Sequence, residues 1–300
     1  LAHAEVAALA GCTEDPAGAT LYVTLEPCSH TGRTPPCADA VIASGVRRVV
    51  VAIEDPNEKV GGAGIARIRA AGIDVETGLL RERATRINET FLHSAAARRP
   101  FVVMKAGITL DAKLATTTGK SKWITSAEAR DRALLLREEY DAILAGGGTV
   151  AADNPHLTRR LGRNGSIQPW QRIIVDATGN IPAQSNVFTD GTRTILFTSH
   201  PDAYRLPASV EVVAAEARDG RLDLGAVLDV ANTRGIRSIL AEGGSLVHSD
   251  LIRRRLWQKM VLFVAPMLVG GADAPSLLAG AGVLDLADAY RFHFDAVERV

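Results

Sequence analysis

The strongest constraint in the sequence is an alternation. ATLYVTLEP reads as a buried strand and CADAVIASG as a short helix stopped by Gly45. VRRVVVAIEDP is a strand ended by Pro56, and GIARIRAAGI a helix stopped by Gly72. DVETGLL is a short strand, and RERATRINETFLHSAAARR one longer helix. Strands that alternate with helices pair in parallel beneath a helical layer, which predicts an α/β fold. Arg98-Arg99-Pro100 marks a joint, because Pro100 cannot continue the helix before it. The pattern then restarts. FVVMKAGITL is a strand, and SAEARDRALLLREEY a helix capped by Ser126. DAILAGGGTV is a strand followed by a glycine turn; QRIIVDATG, TRTILFTS and VEVVAA are further strands. DLGAVLDVANTRG and LVHSDLIRRRL are helices, IRSILAEGGS a strand and turn, and QKMVLFVAPMLVGG a last strand. Two domains are expected, 1–98 and 99–300, which also suits a chain of 300 residues. RRLGRNGSIQPW reads as a polar, mobile loop. The opening LAHAEVAALAG reads as the inside of an amphipathic helix without a cap, and the closing RFHFDAVERV as a strand waiting for a partner. Both ends read as cut, as in a portion of a longer protein.

Charge and cysteine usage narrow the setting. Formal net charge is zero and aromatic residues make up 5%, which argues against a nucleic-acid partner or an anionic membrane. No apolar run reaches the roughly 18 residues of a membrane span, and the opening carries no secretory signal pattern. Three cysteines do not make a disulfide scaffold. A reducing cytoplasm is expected, with small-molecule substrates and another copy of the chain, a homo-oligomer, as partners.

Four residues carry the clearest chemistry. His3 and Glu5 form H-A-E at a helix start; Cys28 follows Pro27 behind a strand, and Cys37 follows Pro35-Pro36. One imidazole and two thiolates suit a catalytic zinc, which keeps its fourth position for water. Glu5, off the metal, can carry a proton from that water to a leaving amine. The order H-x-E, then P-C-x-x-C, is the signature of zinc deaminases acting on bases. Here eight residues, SHTGRTPP, separate the two cysteines. His30 and Arg33 on that insert are placed to meet a substrate, and Arg33 suits a phosphate. An isolated H-x-E or cysteine pair is usually incidental; together and in this order they point to zinc. Cys12 reads as a buried helix residue and His93 as a helix-surface histidine. Asp55 and Asn57, in EDPN, either bond a substrate or form a plain turn. AGGGTV and AEGGSLV each place glycines between a strand and a helical turn, as a plain turn or as a phosphate site. Neither is G-x-G-x-x-G, so the Rossmann fingerprint is absent.

HAEVAAL, YVTLEPCSHTGRTPPCADAVIASGVRRVVVAIEDPN and VGGAGIARIRAAGIDV resemble the deaminase half of the bifunctional riboflavin-biosynthesis deaminase/reductase family. VVMKAGITLDAKLAT, SKWITS, LLLREEYDAILAGGGTVAADNPHLTRR and LAEGGSLV resemble its reductase half, so nearly the whole chain is covered in the family's order. The resemblance implies a cytidine-deaminase-like α/β/α layer followed by a dihydrofolate-reductase-like α/β domain that binds NADPH without the fingerprint. It implies hydrolytic deamination of 2,5-diamino-6-ribosylamino-4-pyrimidinone 5′-phosphate, then NADPH-dependent reduction of the ribosyl side chain to ribityl. Gly107, Trp123, Thr149, Asp153 and the turn Gly244, Ser245, Leu246 would contact NADPH. Ser121, Arg137, Leu157, Arg160 and Glu242 would contact the ribosyl phosphate, with Lys105 near the reacting sugar. Asp111 either polarises the sugar or caps a turn, and Ala112 stands where the family commonly has glycine. The family carries further strands ahead of the H-x-E helix, which leaves a second reading: a reductase whose zinc is only structural. A deaminase of nucleic-acid bases and a non-catalytic nucleotide-binding module are the other competing readings.

Overall fold

A computed structural model describes residues 2–32, 34–57, 61–160, 167–168 and 170–300. The chain divides into two compact units, Leu1–Arg98 and Arg99–Val300. Among the described residues no helix is long and apolar enough to cross a membrane.

The first unit runs α1 (Ala4–Ala10), β1 (Thr20–Val23), α2 (Cys37–Ala43), β2 (Arg48–Val51), α3 (Ala63–Ala70), β3 (Asp74–Thr77), α4 (Arg81–Ile87) and α5 (Glu89–Ala97). Its three strands pair in parallel in the order β1-β2-β3. Alternate residues of a strand face the same side, so Val49 and Val51 of β2 meet Ala38 and Val41 of α2 and Ile65 and Ile68 of α3 in one buried cluster. The helix expected from Arg81 to Arg99 is two helices. Asn88 breaks it, with its side-chain amide donating to the Ala84 carbonyl at 2.9 Å, a local bond that competes with the helical ladder. Cys12, expected inside a helix and buried, is exposed: α1 ends at Ala10, with Gly11 as its C-cap. His93 lies on α5, half-buried.

The second unit runs β4 (Phe101–Thr109), α6 (Ala127–Leu136), β5 (Ala142–Gly146), α7 (Gly147–Asp153), β6 (Arg159–Arg160), β7 (Ile167–Gln168), β8 (Gln171–Asp176), α8 (Asn186–Thr189), β9 (Thr194–Thr198), β10 (Val210–Ala214), β11 (Ala217–Arg218), β12 (Arg221–Leu222), α9 (Leu224–Thr233), β13 (Ser238–Ala241), α10 (Ser245–Arg253) and β14 (Lys259–Ala265). Seven strands form one sheet in the order β10-β9-β8-β5-β13-β4-β14, every neighbouring pair parallel. Its central strands are apolar on both faces, as a covered parallel sheet requires. Ala142 and Leu144 of β5 enter one core with α9 and α10, while Ile143 and Ala145 enter the other with Val150 of α7 and Phe188 of α8. Ser126 caps α6 by accepting from the Ala129 amide at 3.1 Å. The glycines after β5 do not form a simple turn: Gly147 starts α7. Residues 291–300, read as a strand, lie outside any strand and are largely exposed. Most of the loop expected to be mobile, residues 161–166, lies outside the described residues.

Candidate functional site

In the first unit the strand-to-helix turn does the gathering. β1 delivers Pro27 and Cys28 to the sheet's end, and α2 opens on Cys37. The Ala38 amide donates to the Cys28 carbonyl at 3.1 Å and the Cys37 amide to Cys28 Sγ at 3.3 Å, which folds the insert back on itself. His3, in extended backbone just before α1, places Nδ1 3.2 Å from Cys37 Sγ and 3.6 Å from Cys28 Sγ. The three ligand atoms lie within 4.8 Å of one another. A tetrahedral zinc with bonds of about 2.0–2.3 Å separates its ligand atoms by roughly 3.5–4 Å, so the triangle fits the ion.

The electrostatics ask for a cation there. Cys37 is fully buried. Burial first, then its hydrogen bond to Cys28 and the negative charge of Glu5, push its thiol up to about 12. A thiol so placed becomes a thiolate at neutral pH only beside a positive charge, which a divalent ion supplies. Glu5 stands in the first turn of α1, near enough for its charge to act on the Cys37 thiol.

The other proposed deaminase residues sit on neighbouring loops. His30 is exposed on the insert; Arg33 lies outside the described residues. Asp55 and Asn57 follow β2, and the Asn57 amide donates to Asp55 Oδ1 at 2.9 Å, so EDPN does form a side-chain-closed turn. Glu26 had no role in the sequence reading. It is buried, and its carboxylate accepts from the amides of Asp55, Gly62, Gly64 and Ile65. A charged residue at the end of an apolar strand was the available signal, since a buried carboxylate must find donors.

In the second unit two glycine turns close adjacent parallel strands, β5 and β13, each entering a helix. They touch: a Cβ on Gly244 would stand 3.2 Å from Thr149 Oγ1, and one on Gly146 3.1 Å from Val247 Cγ2. Amides at such helix starts suit phosphate groups, and the close approach leaves the backbone bare toward a ligand. Leu246 and Trp123 are exposed, and the Arg130 guanidinium lies 4.3 Å from the centre of the Trp123 ring. Asp153 is exposed, and Gly107 and Ser121 are partly buried.

Beside the second turn lies an ionic cluster. Glu242, just beyond β13, accepts from Arg137 at 2.7 and 3.0 Å and from Lys105 Nζ at 3.2 Å. Burial alone would raise the Glu242 carboxyl, but the charges of Arg137 and Lys105 outweigh it and bring it down to about 2. Arg137 also donates to the Thr158 carbonyl at 2.8 Å, while Arg160 directs Nε and Nη2 at the Thr158 hydroxyl. Leu157 is held at φ 46, its carbonyl accepting from the Trp170 indole at 3.0 Å. Asp111 caps a turn: it accepts from Thr109 at 2.5 Å, from Val269 at 3.2 Å and from Gly270 at 2.7 Å.

Comparison with known proteins matches both units. Residues 100–299 match the RibD C-terminal domain, and residues 1–53 the cytidine and deoxycytidylate deaminase zinc-binding region. The riboflavin biosynthesis protein RibD of Bacillus amyloliquefaciens is 41% identical over 303 residues, covering 100% of this chain and 81% of that protein. The Escherichia coli (strain K12) protein of the same name is 37% identical over 308 residues, covering 99% and 84%. Among solved structures, the Thermotoga maritima diaminohydroxyphosphoribosylaminopyrimidine deaminase/5-amino-6-(5-phosphoribosylamino)uracil reductase superposes with a TM-score of 0.85 at 35% identity, covering 98% of this chain and 80% of that one. Acinetobacter baumannii RibD, form 1, gives 0.84 at 32% identity, covering 98% and 81%.

Proposed function

The chain belongs to the RibD family of riboflavin-biosynthesis deaminase/reductases, and on that premise we propose which residues carry each of its two activities. The deaminase acts on the diaminohydroxyphosphoribosylaminopyrimidine, the reductase on 5-amino-6-(5-phosphoribosylamino)uracil. The observation that carries the reading is the convergence of His3, Cys28 and Cys37 beside Glu5.

His3, Cys28 and Cys37 hold zinc, which when bound supplies a water ionised near neutral pH. Glu5 takes the proton that this water gives up and delivers it to the departing amine, so that ammonia leaves and an oxo group stays on the pyrimidine. Asp55 and Asn57 orient the pyrimidine; His30 and Arg33 are further substrate contacts, and the charge of Arg33 suits a phosphate.

In the reductase Gly107, Trp123, Thr149, Asp153 and the Gly244–Leu246 turn hold NADPH, which supplies a hydride. Ser121, Leu157, Arg160, Arg137 and Glu242 shape the pocket for the ribosyl phosphate. Of the cluster, the ionised Glu242 only accepts and Arg137 stays bound to it, so we assign Lys105 as the group that faces the sugar. Its ammonium therefore suits the ring oxygen released as the sugar opens to ribityl. The cysteines, none in a disulfide, suit the cytoplasm. The edge strand β14, with Leu262 and Val264 exposed, suits a homo-oligomer, which light scattering tests.

Mass spectrometry of products tests both steps. The diaminopyrimidine phosphate should exchange one amino group for oxygen, and adding NADPH should then add two hydrogens. Glu5→Gln should keep zinc and abolish ammonia release. Zinc bound to the native chain without ammonia release would reduce the reading to a reductase with a structural metal.

A further inference from the structure

Glu26 precedes Pro27-Cys28, and it is the one buried carboxylate among the described residues of the first unit, 5% exposed. A carboxylate taken from water needs donors to replace its hydration. Glu26 Oε2 accepts from the amides of Asp55 at 3.0 Å and Gly62 at 2.9 Å; Oε1 accepts from Gly64 at 2.8 Å and Ile65 at 3.1 Å. All four donors are backbone, so the carboxylate responds to where the chain lies.

These amides belong to two different pieces of the site. Gly64 and Ile65 are in the first turn of α3, whose amides have no intrahelical acceptor, and α3 has no side-chain cap of its own. The Asp55 amide opens the loop that carries Asp55 and Asn57. The Glu26 amide itself donates to the Ile53 carbonyl at 2.9 Å, two residues beyond β2. A Cβ on Gly64 would collide with the Pro27 carbonyl oxygen, so α3 also lies directly against the turn that bears Cys28. One side chain thus ties the ligand-bearing turn, the EDPN loop and the start of α3 to each other.

We infer that Glu26 is a positioning residue of the deaminase: it sets Asp55 and Asn57 at their distance from the metal ligand Cys28 without touching metal or substrate. The inference rests on the reading of Asp55 and Asn57 as pyrimidine contacts. A carboxylate that merely capped α3 would support stability and leave substrate affinity alone.

Glu26→Gln keeps the size but offers one acceptor oxygen, so one pair of amides must face a donor. In the full chain, its KM for the diaminopyrimidine phosphate should rise about tenfold to a hundredfold, the cost of leaving buried donors unmet. Zinc content, and the reductase kinetics measured on the same sample, should hold. Hydrogen exchange should quicken at the amides of Asp55, Gly62, Gly64 or Ile65. Glu26→Asp, with both oxygens on a shorter arm, should recover part of the lost affinity. Native KM or native exchange in Glu26→Gln overturns the inference, as does loss of zinc. Asn57→Ala separates the two layers: a raised KM there beside a native Glu26→Gln defeats the positioning role alone, whereas a native KM in Asn57→Ala defeats the reading of the loop beneath it.

Discussion

Ala112 holds φ 59, in the left-handed region where a Cβ crowds the following carbonyl. It follows Asp111, whose carboxylate pins the turn through Thr109, Val269 and Gly270. The turn geometry is set by those bonds, so the strain stays with the alanine. Ala112→Gly should therefore stabilise the second unit by about 1 kcal/mol, read as a higher denaturant midpoint. Residues of this kind divide into legible and hidden. That His3, Cys28 and Cys37 would come together could be read from type, order and a preceding proline, because metal chemistry uses few side chains. Glu26 could not be assigned a role, because its partners are four backbone amides, which every residue but proline carries. The turn that Asp111 caps is closed by Gly270, far along the chain, which no local pattern signals.

Elements place charge as well as residues. Glu242 follows β13 and meets Arg137 at the C-cap of α6 and Lys105 on β4, with side chains 10%, 13% and 18% exposed. Its carboxyl is held near 2 against an ordinary 4.5, so the folded chain binds that proton less readily than the unfolded one. The stability it lends is complete above about pH 4.5 and is lost as pH falls toward 2. Urea midpoints measured down that range should fall in the native protein and fall less in Glu242→Gln. At neutral pH Glu242→Gln should cost roughly 3 kcal/mol, since two buried cations lose their counter-charge. Gly243 makes a second prediction. An alanine there meets Val247 Cβ at 2.6 Å, so Gly243→Ala should weaken NADPH binding and lower reductase turnover while deamination continues. The strand and helix types were legible from periodicity. The break at Asn88 was not, because one side-chain bond to Ala84 decided it against an otherwise helical run. Nor was the exact start of α7: a following helical turn was expected, but the glycine run left open that Gly147 itself begins it.

At the scale of the molecule each unit owns a core and a candidate site: the β2–α2–α3 cluster beneath the His3, Cys28 and Cys37 triangle, and the two faces of the seven-stranded sheet beneath the glycine turns. Parallel pairing followed from the alternation, but the order β10-β9-β8-β5-β13-β4-β14 did not. That order puts Ala142–Gly146 beside Ser238–Ala241, a pairing that no local pattern encodes. Removing zinc with a chelator should stop ammonia release and spare NADPH oxidation, measured side by side on one preparation.

The stray sulfur of Cys12 gives this last experiment its own gauge. It lies open to solvent, while Cys28 and Cys37 are the two that would be wrapped around the ion. A thiol-specific dye should therefore colour a loaded chain quickly at Cys12 alone, and a stripped chain at Cys28 as well. The difference reports how full the centre is before any substrate is added.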